Sequence, residues 1–235
     1  MTDVTEDIQA LKRAAALHAV QYVHNGMKVG LGTGTTAEYA VRELGARVAR
    51  GLRIICVPTS VRTERLAREL GIPLTTLEDT PELDITIDGA DEVDLTTFNA
   101  IKGLGGALLR EKIVALASKL EVLIVDERKI VSRLGEHAPV PVEVVPFGWN
   151  RTCEALARLG CRPERRTAPD GEVYITDSGN YLIDCYFPLI ADPPSLAERI
   201  KCLTGVVEHG LFVGIAGRVV VGRTNGVQVV DRGRT

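Results

Sequence analysis

No excess of either charge sign marks this sequence. Its 28 Lys and Arg stand against 31 Asp and Glu, a formal net charge of −3 at pH 7. That balance excludes the basic field by which a protein holds nucleic acid or an anionic membrane, and turns the search for a partner toward small molecules. Long apolar runs are missing as well: the longest are short and broken by charge, so none qualifies as a membrane span. The acidic opening MTDVTEDIQALKR lacks the basic-then-apolar order of a signal peptide. A soluble, cytoplasmic protein is expected. Cys56, Cys153, Cys161, Cys185 and Cys202 are odd in number, widely spaced and without a C-x-x-C pair, so they read as reduced and mostly core. His18, His24, His137 and His209 form no metal-ligand spacing, and no G-x-S-x-G nucleophile signal occurs. Neither a metal, a cofactor nor a covalent nucleophile is required. Internal repeats and low-complexity segments are also absent.

What is present is an alternation of strand and helix. A chain of 235 residues can bury a full core as one domain with a smaller insert. Thr5 with Glu6 and Asp7 starts a helix that ends near Asn25-Gly26. Strands follow at Met27–Leu31, Arg53–Val57, Pro73–Leu77, Leu83–Ile87 and Glu121–Val125, with helices from Ala37, over Val61–Leu70 and from about Gly106 to Ser118. Such an order means a parallel sheet with helices on its faces, a Rossmann-like α/β fold. After Arg133 the texture changes. Prolines 139, 141, 146 and 163 punctuate a strand, a helix near Arg151–Leu159, strands near Glu172–Ile175 and Tyr181–Phe187, a helix from Asp192-Pro193-Pro194-Ser195, and a strand near Val206–Val207. That is the order of a small ferredoxin-like α+β unit. The expected boundaries are 1–133 with 208–235 for the Rossmann-like catalytic domain, and 134–207 for a lid or oligomerisation domain. The tail returns to strands at Leu211–Ala216, Arg218–Val221 and Val227–Val230, the last two joined by a turn at Thr224-Asn225-Gly226; they should complete the first sheet.

The first candidate site is Gly32-Thr33-Gly34-Thr35-Thr36, between the first strand and its helix. Backbone N–H groups freed by glycines at a helix start, helped by hydroxyls, bind phosphate. The pattern G-x-G-x-x-A also fits a dinucleotide fingerprint, but that fold wants an acid at the end of the second strand, where this chain has Cys56-Val57-Pro58-Thr59-Ser60. A Walker loop fails for want of Gly-Lys-Ser/Thr. A monophosphate grip is preferred; a tight turn that merely needs glycine is the alternative.

The second is the stretch LDITIDGADEVDLTTFNAIKGLGGALLREK from Leu83 to Lys112. A buried strand delivers Asp88 and Asp91 to its end, with small Gly89-Ala90 between them. Two close acids push each other's pKa apart, leaving one suited to hold a proton; capping a turn is the competing use. Lys102 precedes Gly103-Leu104-Gly105-Gly106, where a cation beside oriented N–H groups can stabilise an oxyanion. Glu111, in the helix that follows, can take a carbon-bound proton, or be a solvated residue beside Arg110 and Lys112. An acid/base glutamate, a lysine and a separate phosphate grip are what moving a proton between adjacent carbons of a sugar phosphate requires.

Five separated motifs, GTGTTAEYAV, DGADEVD, KGLGGALLREKIVA, TDSGNYLID and GVVEHGLF, resemble ribose-5-phosphate isomerase A over essentially the whole chain. The resemblance implies interconversion of D-ribose 5-phosphate and D-ribulose 5-phosphate through an enediolate, without a metal, in the non-oxidative pentose phosphate pathway, by a homodimer or homotetramer. It implies Glu111 as the base between C1 and C2. Asp88, Asp91 and Lys102 would open the ring and stabilise charge. Substrate contacts would come from Thr33, Gly34, Thr35 and Thr36, from Gly89 and Ala90, from Gly103, Leu104 and Gly105, and from Lys129 at the phosphate, with Lys12 a weaker candidate. Leu104 stands where the family keeps glycine, Thr35 where it more often has serine, and the Asp91–Lys102 loop is about one residue longer than in some relatives. A non-catalytic sugar-phosphate sensor is the rival class; it should have a DNA-binding segment ahead of the first strand and lack the Lys102 and Glu111 pair. Amino-sugar-phosphate deaminases and acyl-CoA transferases fit the motifs poorly.

Overall fold

The computed structural model describes residues 3–233. In chain order the elements begin with α1 (Asp3–Ala19), β1 (Lys28–Leu31), α2 (Thr35–Ala49), β2 (Ile55–Pro58), α3 (Val61–Glu69) and β3 (Ile85–Gly89). Next come β4 (Glu92–Val93), β5 (Ala100–Ile101), α4 (Leu108–Leu116), β6 (Glu121–Asp126), β7 (Val140–Val144), α5 (Trp149–Ala157), β8 (Arg162–Arg165) and β9 (Tyr181–Tyr186). The chain finishes with α6 (Pro193–Lys201), β10 (Val206–His209), β11 (Leu211–Phe212), β12 (Arg218–Arg223) and β13 (Gly226–Asp231). Two compact units result. The first comprises residues through Ala90, Arg110–Ile130 and those from Ile215; the second comprises Asp91–Leu109 and Val131–Gly214. Among the described residues no helix is long and apolar enough to cross a membrane.

The first unit is a six-stranded sheet in the order β13-β12-β6-β3-β1-β2. All neighbours are parallel except the terminal hairpin of β12 and β13. Every residue of β6 is buried, as expected of a strand covered on both faces. α2 turns Ala37, Ala40, Val41 and Leu44 inward at helical spacing, and the last three meet Ala15 and Ala19 of α1, Val29 and Leu31 of β1 and Ile85 and Ile87 of β3 in one core. Ser60 starts α3 by accepting the Thr63 N–H at 3.0 Å, satisfying a first-turn donor. The strand order reverses between β1 and β3, because β2 lies on one side of β1 and β3 on the other. In open α/β sheets ligands bind outside the carboxyl ends of the strands at such a reversal.

Three expectations shift here. α1 stops at Ala19 and gives way to a 3-10 turn, Val20–Tyr22, rather than running to Asn25, whose side chain instead accepts the Arg53 N–H at 2.8 Å. The helix-start signal read at Thr5 and Glu6 falls on side chains outside those described. Pro73–Leu77 is not a strand; only Leu74 bridges to Cys56, since Pro73 has no N–H to donate and Thr76 turns the chain by bonding Asp79. The third strand runs to Gly89, so Asp88 lies within it.

The second unit holds a four-stranded antiparallel sheet in the order β10-β7-β9-β8. With α5 and α6 in the crossovers, this is the expected ferredoxin-like arrangement. Its second strand, however, is Arg162–Arg165 and not Glu172–Ile175, which contributes only isolated bridges. The sequence RPER hides a strand because it sits at the sheet edge, where a proline and outward charges are tolerated. The same unit contains a three-stranded sheet, β11-β5-β4, formed partly from a stretch expected to be loop; accordingly Leu211–Ala216 supplies only a two-residue strand.

The expected boundaries at 133/134 and 207/208 are therefore corrected, because Asp91–Leu109 and residues 208–214 group with the α+β unit. The cause is hydrogen bonding. The buried Glu92 carboxylate accepts the N–H groups of Gly135, His137 and Ala138 at 2.6, 2.5 and 2.7 Å, and β5 pairs with β11. All five cysteines are free; Cys56, Cys161 and Cys185 are buried, and burial pushes the Cys56 thiol up to about 12.

Candidate active site

In the first unit the glycine turn follows β1 directly. Gly34 takes φ +110° and caps α2 without any side-chain hydrogen bond, leaving the first-turn amides to an external acceptor. Gly32 is required: a Cβ there would lie 2.2 Å from Asp88 Oδ1. Asp88 is fully buried, and its Oδ1 accepts the N–H of Thr33 at 2.9 Å and of Gly89 at 2.7 Å. It thus ties the ends of β1 and β3 together. The Thr33 hydroxyl, expected at the substrate, sits in a buried cluster with Thr59, Ser60 and Thr63 at 2.7, 2.8 and 3.0 Å. Thr63 in turn donates to the Gly32 carbonyl at 3.0 Å. Thr33 is committed to building the turn. Thr35 and Thr36 open α2, with Thr35 exposed and Thr36 half-buried; a recess of 190 Å³ beside the turn is lined by Gly32, Gly34, Glu38, Arg42, Arg62 and Thr63. A larger recess of 430 Å³, between α3 and α4, has Leu77, Ile113 and Val114 among its walls and none of the candidate residues.

One lysine bonds this turn directly. Lys12 of α1 donates to Thr35 Oγ1 at 3.0 Å. Burial, and then the charges of Arg128 and Lys129, hold its ammonium below the ordinary lysine value against the opposing pull of Asp126. Burial alone would raise Asp126, but the hydrogen bonds and charge of Arg128 outweigh it and lower that carboxyl. Lys129 closes the short 3-10 turn after β6. Cations gathered this way repel one another until an anion joins them.

Glu111 lies in α4 and is only 4 % exposed, which removes the alternative of a solvated helix residue. Val114, one turn on, packs with Val57 and Leu83, and a Cβ on Gly30 of β1 would meet it at 2.7 Å. Positions three apart share a helix face. Glu111 therefore faces the sheet, one turn nearer the helix start, on the side of the strands' carboxyl ends.

The second unit holds Asp91, Lys102 and the second glycine turn. Asp91 N–H donates to the Ile101 carbonyl at 2.8 Å, and its Oδ2 accepts the Leu104 N–H at 2.9 Å. Lys102 is 1 % exposed, bonded through its backbone to Gly210 at 2.9 Å, with its ammonium 5.4 Å from the Phe212 ring centroid. Gly103 and Gly106 take φ +107° and +84°, while Leu104 and Gly105 are exposed. Leu104 keeps a negative φ, so its side chain in place of glycine brings no backbone strain. Arg166 clamps this turn: its Nη1 donates to the carbonyls of Gly103 and Leu104 at 3.0 and 3.1 Å, and its other nitrogens hold Asp184. Sequence reasoning missed Arg166, which sits in a charged run more than sixty residues from the turn; the hydroxyls of Thr59, Ser60 and Thr63 read merely as a strand end and a helix start. Asp184, at the close of TDSGNYLID, was the available hint.

A doubly wound sheet with its glycine turn, buried carboxylates and cation cluster at the carboxyl end of the strand reversal defines an α/β enzyme of the phosphate-binding class. The family model for ribose 5-phosphate isomerase A (phosphoriboisomerase A) matches residues 55–226. Ribose-5-phosphate isomerase A of Gloeobacter violaceus is 52% identical over 95% of this chain and 97% of its own length. Ribose 5-phosphate isomerase of Plasmodium falciparum superposes with a TM-score of 0.93 at 41% identity, covering 97% of this chain and all of the other. A D-ribose-5-phosphate isomerase solved in complex with phospho-erythronic acid gives 0.93 at 38%, covering 96% and 99%. The chain belongs to the ribose 5-phosphate isomerase A family and is an aldose–ketose isomerase.

Proposed function

We propose that Glu111 carries the proton in the interconversion of D-ribose 5-phosphate and D-ribulose 5-phosphate. Its carboxylate takes the C2 proton of the open-chain aldose, and the C2–H electrons form the C1–C2 double bond as the C1 carbonyl oxygen becomes an enediolate oxygen. The C2 hydroxyl proton passes to the C1 oxygen, and the return of the carbon-bound proton from Glu111 to C1 leaves the carbonyl on C2, with atoms and charge balanced. Lys102 supplies the cation for the developing oxyanion. Asp88 and Asp91 assist ring opening, and Asp88 also pins the first glycine turn. Thr35, Thr36, Lys12 and Lys129 hold the phosphate, with the backbone of Thr33 and Gly34 shaping the grip; Gly89, Ala90, Gly103, Leu104 and Gly105 line the sugar. The pathway is the non-oxidative pentose phosphate route, the setting cytoplasmic, the assembly a homodimer or homotetramer, and neither metal nor cofactor takes part.

The observation that carries this reading is the buried carboxylate of Glu111 on the sheet face of α4. A base hidden from water keeps its proton from exchanging with solvent during transfer. The test is conversion of ribose 5-phosphate to ribulose 5-phosphate by the purified protein, beside arabinose 5-phosphate as a control. Equal turnover of both sugars, or of neither, would remove the assignment.

A further inference from the structure

We propose that Arg166, held by Asp184, is a positioning residue for Asp91, acting through two peptides of the second glycine turn. Peptides here are trans, so each C=O and the N–H of the following residue point in opposite directions. One guanidinium nitrogen binds the carbonyls of both Gly103 and Leu104. The N–H groups of Leu104 and Gly105 are thereby turned to the other side together, forming a small anion-binding concavity. The carboxylate of Asp91 occupies it, through the bond from Leu104 N–H to Oδ2 at 2.9 Å.

The clamp is itself rigid. Arg166 is 13% and Asp184 14% exposed, and the pair is bidentate, a geometry that fixes direction as well as charge. Its backbone N–H donates to Leu182 at 2.8 Å, and its carbonyl accepts from Tyr174 at 3.1 Å. The Tyr174 ring lies beneath the guanidinium, 5.8 Å away. Tyr174 also restricts the turn's far end, since a Cβ on Gly106 would meet its hydroxyl at 2.0 Å. A guanidinium on the carbonyl side polarises each peptide and strengthens its N–H as a donor. Asp184 is thus linked to Asp91 through three groups in sequence: the Arg166 guanidinium, the Gly103 carbonyl and the Leu104 N–H.

The inference rests on Asp91 acting in the isomerase, and the test separates the two. Arg166→Lys keeps one positive charge but cannot span both carbonyls and the carboxylate. It should lower kcat roughly 10- to 100-fold, the scale of a small misplacement, with KM changed by no more than about threefold and the thermal midpoint near wild type. Guanidinium ion added to Arg166→Ala should restore part of kcat. The amide signal of Leu104, followed by NMR, should move upfield in Arg166→Lys as its hydrogen bond weakens. An unchanged Leu104 amide, full kcat in Arg166→Lys, or a loss confined to KM would each overturn the inference. Absence of ribose 5-phosphate turnover in the wild-type protein would instead overturn the isomerase reading, and the Leu104 amide would still decide the clamp.

Discussion

The two glycine turns of this protein reach similar shapes by different means. The turn at 32–36 is pinned by its neighbours: Asp88 from the adjacent strand, and the hydroxyls of Thr59, Ser60 and Thr63, each within 3.0 Å of that of Thr33. The turn at 103–106 is pinned by charge, with Arg166 on its carbonyls and Asp91 on an N–H. The turn proposed to grip the phosphate is framed by one buried carboxylate and a set of hydroxyls. The turn proposed to serve the reacting end carries its own counter-ions. Geometry is supplied locally in the first case and from distant strands in the second.

Mutations at each turn probe this contrast. The largest effect is expected at the chemistry itself: Glu111→Gln should abolish isomerisation while leaving equilibrium binding of substrate largely intact, and wild-type turnover would disqualify Glu111. Lys102→Ala should lower kcat by roughly 10²–10³, the scale of one lost oxyanion donor, read in steady-state kinetics. Gly32→Ala forces a Cβ to within 2.5 Å of Asp88 backbone; overpacking of about 1–3 kcal/mol should appear in denaturant unfolding, whereas Gly105→Ala in the exposed part of the second turn should not destabilise. Milder still is Lys12. Its depressed proton affinity means that the charge is lost at lower pH than from an ordinary lysine, so KM should climb on the alkaline side before the usual lysine range. Lys12→Arg should move that climb upward, and identical profiles would show that Lys12 does not meet the phosphate. The smallest effect is none: turnover should be unchanged by EDTA, measured with and without added divalent ions.

How legible these features were in the sequence follows the same division. Strand–turn–helix at 28–49 and the buried run of β3 could be read directly, because the residues that make each element are contiguous and periodic. Asp88, Lys102 and the first glycines stood out for the same reason. β8 was hidden because an edge strand need not alternate or avoid proline, and the small sheet of β4, β5 and β11 because two-residue strands have no period at all. Glu111 was ambiguous: charged neighbours on both sides hid the fact that its face of the helix is the one carrying Val114. Arg166 was illegible because its partners are two backbone carbonyls, groups that every residue possesses and no sequence pattern reports.

The three N–H groups gathered on Glu92 bear on how this architecture could be re-engineered. Residues 134–207 look like a cassette to be cut out or traded between relatives. Cutting there would remove the donors of Gly135, His137 and Ala138 and leave a carboxylate that is 1% exposed without them. A graft that succeeds has to carry Asp91–Leu109 along with the α+β strands, and with it Lys102 and Asp91. In this protein a change of the smaller unit is also a change of part of the proposed catalytic set.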